Sequence, residues 1–471
     1  MDKKAKAESC KLSIVGIGPG EQALRTAAAE EAILTADYVV GYRPYLDLIS
    51  DLLPGKTVAS SRMGKEVDRV KAAVDLLEEG SVALVSSGDP NIYGMAGLGL
   101  ELAPRPRDVE VVPGVTSFTA AACRAGLAFR ECVSVISLSD LLTPWQAIEA
   151  RLQQASELQM PVALYNPRSK RRNWQLLRAL ELCGDRDVLV ARNVGRPGED
   201  IFWTASSILK DNEAMLDKID MTTLVIISGR GAFRGEACKE ACINLVGIGP
   251  GDRKSLTGET RSLLLGSQKI LGAERYLNLL GDLSPASKVA HTGPCPERMT
   301  SRFREAEELA RMGKTASILT GGDPSIFSAG WRILEHARGK TNVHISAGVS
   351  AFTSVAARAG APLVSDFVLL SRPPDPGLHS LLARLGFAIV TYNVQGHEIA
   401  PLLQDVDPKR PCVLARDVAR PGEETIILEA EELLAAKPSG FRFTLLLASG
   451  HSYIKDGRII ARRGYETKYA Y

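Results

Sequence analysis

Gly16-Ile17-Gly18-Pro19-Gly20 closes the apolar run Leu12 to Val15, and the same five residues return as Gly247-Ile248-Gly249-Pro250-Gly251 behind a second apolar run. The copies lie 231 residues apart. Working outward, Gly41 to Leu46 is answered 231 residues on by Gly272 to Leu277, and Gly88-Asp89-Pro90 is answered 234 residues on by Gly322-Asp323-Pro324. Matched stations at a nearly constant offset mark a tandem repeat. The period exceeds the roughly 20–50 residues of stacking modules, so each copy is expected to be a domain with its own core. The expected division is residues 1–235 and 236–471, with Gly229 to Gly235 as linker.

Within each copy, short β-rich apolar runs alternate with helical patterns. Leu12 to Val15, Val82 to Val85, Val109 to Val112 and Val188 to Val190 read as strands, whereas Val67, Val70, Val74 and Leu77 fall on one helix face. That alternation predicts an α/β fold. The first copy continues through a strand at Val162, a helix from Trp174 to Leu182 and a closing strand from Thr223 to Ile227. It has room for two αβ lobes of roughly 100 residues each, divided near the loop before Cys132. The second copy repeats the order and closes on Thr444 to Leu447.

Composition excludes more than it suggests. In 471 residues, 45% are hydrophobic and 24% charged, which rules out disordered and fibrous classes. The formal net charge of +2 gives no ground for a nucleic-acid surface. No apolar stretch is long enough for a signal peptide or a membrane span. Eight cysteines without a Cys-x-x-Cys pair suit a reducing cytoplasm. Cys238 and Cys242 are the one close pair, and two ligands do not make a metal site. No metal is expected.

Taken alone, the glycine turn is ambiguous. A strand, Gly-x-Gly-Pro-Gly and then a helix resembles a dinucleotide fingerprint, yet the third glycine of Gly-x-Gly-x-x-Gly is missing and proline occupies the phosphate-facing stretch. A tight turn needing only glycine φ freedom explains one copy equally well.

Taken in order, the glycine turn, Gly41-Tyr42-Arg43-Pro44-Tyr45-Leu46, Ser86 to Gly94, Pro113-Gly114-Val115-Thr116-Ser117 and Tyr165-Asn166-Pro167 resemble the tetrapyrrole methylase family, over nearly the whole chain and in both copies. The resemblance implies two αβ lobes per domain, with S-adenosylmethionine in the cleft between them and a tetrapyrrole carbon as acceptor. Ile136 to Trp145, followed by Tyr165 to Arg172, resembles the C17-methyltransferases of cobalamin synthesis. These act on precorrin-3B or its cobalt-bearing counterpart and contract the macrocycle. Family members commonly pair as dimers, so either a pseudo-twofold monomer or a homodimer is implied.

Carried over by resemblance, Pro19, Ser87, Gly88, Asp89, Ile92, Thr116, Ser117 and Asn166 line the first cofactor pocket. Pro250, Gly321, Gly322, Asp323, Ile326, Ser350, Ala351 and Asn393 line the second. Asp89 either accepts from the cofactor or closes an Asx turn through Pro90 and Asn91, and the two roles can coexist. The macrocycle carries acetate and propionate groups that call for cations, and Arg168, Lys170, Arg171 and Arg172 follow the Tyr-Asn-Pro turn. A solvated basic helix start is the alternative.

Ring contraction requires proton movement, for which Ser139 and Asp140 are candidates; the alternative is an N-cap for the helix beginning at Trp145. Tyr93 is a further candidate beside the macrocycle. The second copy has Leu370-Ser371-Arg372-Pro373-Pro374 where the first has the stretch Ser137-Leu138-Ser139-Asp140, and Val394-Gln395-Gly396 in place of the basic run. Its acceptor signature is missing, so it is a second methyltransferase, a binding module or a structural half.

Overall fold

The computed structural model describes residues 11–169 and 172–467. Leu12–Gly16, Tyr38–Tyr42, Thr57–Ser61, Val82–Ser86 and Val109–Val112 form a five-stranded, wholly parallel sheet. Leu12–Gly16 lies near its centre, between Val82–Ser86 and Val109–Val112. Apolar runs without alternation suit a sheet buried on both faces, and Leu12, Ile14, Val15, Leu84 and Val85 are all buried. The second half builds the same sheet in the same order from Ile243–Gly247, Lys269–Gly272, Ser287–Ala290, Ala316–Thr320 and Val343–Ser346. Gly16 pairs with Ser86 as Gly247 pairs with Thr320, so the glycine turns leave the two sheets in identical register.

The second lobes do not stay separate. Cys132–Ser137, Val162–Tyr165, Thr223–Ile227, Asp187–Arg192 and Asp200–Ala205 form one five-strand half of a sheet. Phe367–Leu370, Ala388–Val394, Phe443–Leu447, Pro411–Arg416 and Glu424–Glu429 form the mirror-ordered other half. Cys132–Ser137 and Phe367–Leu370 pair antiparallel, Val133 opposite Leu369 and Val135 opposite Phe367, making ten continuous strands. Each half thereby covers the edge the other would expose.

Further contacts repeat this pseudo-twofold relation. Thr26 and Thr257 each cap a helix, accepting from Ala29 and Thr260 backbone N–H at 3.1 Å, and they bridge one another. Phe118 and Phe352, 234 residues apart, approach with ring centroids 6.3 Å apart inside one core that draws residues from both halves. Of the segment read as linker, Ala232–Arg234 is a strand paired with Leu127–Phe129. Its apolar Phe233 packs on the shared core. Among the described residues, no helix is long and apolar enough to cross a membrane, and no group of three or more His, Cys, Asp or Glu could hold a metal ion.

Candidate functional site

Three turns at the carboxyl ends of the parallel strands pack backbone against backbone. Ile17 donates to the Ser86 carbonyl at 3.0 Å, and Gly18 and Gly88 exchange N–H···O bonds at 3.2 and 2.7 Å. Gly88 has φ +66°, a left-handed value that favours glycine. A Cβ on Gly114 would collide with the Gly88 carbonyl, so the Pro113-Gly114 turn also admits no side chain there. Gly249 and Gly322 exchange the same two bonds at 3.2 and 2.7 Å.

Asp89 locks this assembly from behind. It is 1% exposed, and its carboxylate accepts from Asn91 N–H at 2.9 Å and Gly114 N–H at 3.1 Å. The Asx turn is therefore present, and the second oxygen ties one loop to the next. Burial pushes the carboxyl up to about 7, against those two donors. Asp323 does the same with Ser325 and Gly348, and it also accepts from Cys123 Sγ of the first half at 3.6 Å.

In the second half, Pro250, Gly321, Gly322, Asp323, Ile326, Ser350, Ala351 and Asn393 all border one cleft of about 410 Å³ between the lobes. A Cβ on Gly321 would collide with the Tyr276 ring, and Gly322 takes φ +68°, so both positions require glycine. In the first half, Thr116 Oγ1 is 2.9 Å from the Tyr165 hydroxyl, which also accepts from Phe118 N–H at 3.3 Å. Gly88 faces Ser117, and Ser87 Oγ accepts from Arg196 Nη2 at 2.7 Å. Asn166, with φ +51°, donates through Nδ2 to Ser137 Oγ at 3.0 Å.

The residues expected on the acceptor side divide. Arg172 Nη2 donates to the Asn166 carbonyl at 2.9 Å and its Nη1 to Ser139 Oγ at 3.2 Å, so Arg172, Ser139 and Asn166 meet. Burial lowers the pKa of Arg172, with Asp140 acting against it. Asp140 accepts from Gln175 Nε2 at 3.0 Å. The helix Trp145–Glu157 has Pro144 at its cap position and no side-chain cap, so neither Ser139, Asp140 nor Thr143 is spent there. Arg168 turns aside to the Leu216 carbonyl and to Asp217. Lys170 and Arg171 lie outside the described residues. Tyr93 packs on Tyr165 with centroids 5.0 Å apart, but its hydroxyl points to the seam between halves, donating to Asp366 Oδ1 at 2.7 Å.

Three features escaped the motif reading. Arg196 and Arg420 reach from the second lobes to the glycine turns; the signal was there, since Arg196-Pro197-Gly198-Glu199 recurs as Arg420-Pro421-Gly422-Glu423. The second cleft is not short of cations, as its Val-Gln-Gly stretch suggested: Arg275, Arg298, Arg302, Arg416, Arg420 and Arg442 line it. They come from several elements, so no run in the sequence announces them. Asp366 reaches the first half's site from the second half, and nothing local marks it.

The family profile of the Tetrapyrrole (Corrin/Porphyrin) Methylases matches residues 11–209 and 243–434. The cobalamin biosynthesis protein CbiHC of Archaeoglobus fulgidus is 44% identical over 224 residues, 46% of this chain and 49% of that protein. The chain thus spans about half the length of that relative. The probable cobalt-factor III C(17)-methyltransferase of Salmonella typhimurium is 42% identical over 231 residues, 47% of this chain and 94% of its own. The solved methyltransferase CobJ is 33% identical, with 47% of this chain and 95% of that one covered at a TM-score of 0.41.

Proposed function

The chain belongs to the tetrapyrrole methylases, methyltransferases by class, and from that premise we propose that its first half methylates C17 of precorrin-3B or cobalt-factor III, with ring contraction, in corrin biosynthesis. S-adenosylmethionine is the donor, and its sulfonium supplies an electrophilic methyl. The domains divide at 235/236 and work in the cytoplasm.

One observation carries the reading: Ser139, Asn166 and Arg172, drawn from the two stretches that resemble C17-methyltransferases, converge on one hydrogen-bonded cluster next to Tyr165, whose hydroxyl meets Thr116. Gly88, Ser87, Thr116 and Ser117 supply backbone and hydroxyl contacts for the donor, with Pro19 and Ile92 as apolar walls. Asp89 keeps that wall in shape. In this reading Arg172 offers its charge to a carboxylate of the macrocycle, and Ser139 and Asp140 move the proton that contraction releases. Displacement at a methyl group needs alignment and exclusion of water more than a strong base, and a cleft between two lobes suits both.

Methyl-labelled donor incubated with precorrin-3B and, separately, cobalt-factor III tests this. Label is expected at C17 with one of them; none with either acceptor overturns the reading. The arginine-lined second cleft favours a second reading for that half, methylation at another ring position, over a purely structural role. Mass spectrometry counting methyl groups on the product of the full chain separates them, since a structural half adds none beyond C17. The shared sheet supports a pseudo-dimeric monomer, to be checked by sedimentation.

A further inference from the structure

We propose that Asp366, a residue of the second half, is a positioning residue of the first half's site, fixing Tyr93 and Ser137 where the acceptor is handled. The proposal rests on the assignment of C17 chemistry to the first half.

Asp366 lies just before the seam strand Phe367–Leu370 and is 5% exposed. Its Oδ1 accepts from the Tyr93 hydroxyl at 2.7 Å and from Ser137 N–H at 2.9 Å. Its Oδ2 accepts from Arg151 Nη1 at 2.7 Å, also from the first half. All three donors of this buried carboxylate thus belong to the opposite half. Burial strengthens such bonds and makes leaving them unmade costly.

What hangs on Asp366 is the cluster of Ser137, Asn166, Ser139 and Arg172. Ser137, held through its N–H, accepts from Asn166 Nδ2 and from Ser139 N–H with its hydroxyl. Asn166 and Ser139 in turn receive Arg172. On the other branch, the Tyr93 ring is held between Tyr165 and Arg463, whose guanidinium lies 5.3 Å from the ring centroid. Arg463 is a second contribution from the second half. Tyr93 takes φ +51°, a conformation that costs about 1 kcal/mol or more and persists where surroundings impose it.

The pseudo-twofold equivalent is built without this arrangement. In the second half, Phe327 stands where the first has Tyr93, packed on Tyr392 at 5.7 Å with φ +48° and no hydroxyl. Cys132 stands where the second half has Asp366. Ser371, the counterpart of Ser137, donates to the Glu131 carbonyl instead of a carboxylate. The one seam has two pseudo-equivalent ends, and among the described residues only the end serving the first cleft carries the Tyr–Asp–Arg set.

Asp366→Ala, Asp366→Asn and Tyr93→Phe in the full chain test the assignment, with acceptor binding read from its absorbance without donor, and turnover read separately. Asp366→Ala should weaken acceptor binding and lower kcat by about tenfold each, while S-adenosylhomocysteine affinity stays within about twofold. Asp366→Asn keeps an acceptor oxygen for Tyr93 and Ser137 and should recover to within about threefold. Asp366→Ala and Tyr93→Phe combined should cost less than the product of their separate effects. Acceptor binding unchanged in Asp366→Ala, or full additivity with Tyr93→Phe, overturns the proposal. If Asp366→Ala fails to fold, Asp366→Asn and Tyr93→Phe decide through the same binding measurement. A wild-type chain that binds no acceptor sinks the C17 assignment itself, which is a different outcome.

Discussion

Arg196 Nε donates to the Pro19 carbonyl at 2.7 Å, joining the second lobe of the first half directly to its glycine turn. Arg420 repeats the bond to Pro250 at 2.7 Å. The two clefts are therefore spanned by the same clamp, but Arg196 also donates to Ser87 Oγ, where Gly321 gives Arg420 no hydroxyl.

Arg196→Ala removes two charge-assisted bonds across the first cleft. Both bonds are made in the donor-free protein, so their loss acts through pre-organisation of the cleft, and donor affinity there should fall about tenfold. Calorimetry with S-adenosylhomocysteine should show one weakened site of two in Arg196→Ala, and the other weakened in Arg420→Ala. Identical isotherms for both variants and the parent chain would refute the clamp.

The seam predicts that the halves unfold together. Leu369 faces Val133 across it, and both are fully buried. Leu369→Ala should cost about 2–5 kcal/mol and lower a single calorimetric transition. Two resolved transitions, only one of them shifted, would mean that the shared sheet does not couple the domains.

Asp89 gives a pH dependence of unusual sign. Its carboxyl is pushed up to about 7 when folded and returns to about 4 when unfolded, so between those values the folded chain holds a proton that the unfolded chain releases. Its contribution to stability therefore declines as pH rises from about 4 to about 7 and is level above that. Asp323 is raised by burial as well and acts in the same direction. Urea midpoints from pH 5 to 8 should fall less steeply for Asp89→Asn than for the parent; equal slopes would remove Asp89 as the cause.

Arg302 is 5% exposed; its Nη1 meets Met299 sulfur at 3.4 Å, and Nε and Nη2 have no hydrogen-bond partner among the described residues. Burial, with Arg298 beside it, lowers its pKa. Its counterpart Arg69 is satisfied by Ser61 Oγ and the Arg62 carbonyl. An unpaired buried charge is destabilising, so Arg302→Leu should raise the melting temperature by a few degrees. It should also weaken binding of a polycarboxylate porphyrin by about tenfold and flatten its salt dependence. A melting temperature that falls would mean that the guanidinium is already compensated.

The repeat, the α/β class and the glycine stations were legible because they are local. A turn that needs φ near +66° at Gly88, or backbone room at Gly114, writes itself into the residue type. Ser139, Asn166 and Arg172 were within reach too, since two short stretches hold all three. The recurring Arg-Pro-Gly-Glu was equally readable, but its reach to the glycine turn spans 177 residues. Arg168 shows the converse, a cation in the right stretch that the fold spends on Asp217.

What this sequence determined by itself is the pair of cradles, because each is made by turns whose backbone conformations depend on their own residues. Only the tertiary structure decided that the two second lobes share ten strands, that Asp366 crosses to Tyr93, and that six arginines from separate elements surround the second cleft. Those contacts join residues far apart in the chain, and their energies exist only once burial has removed water from between them.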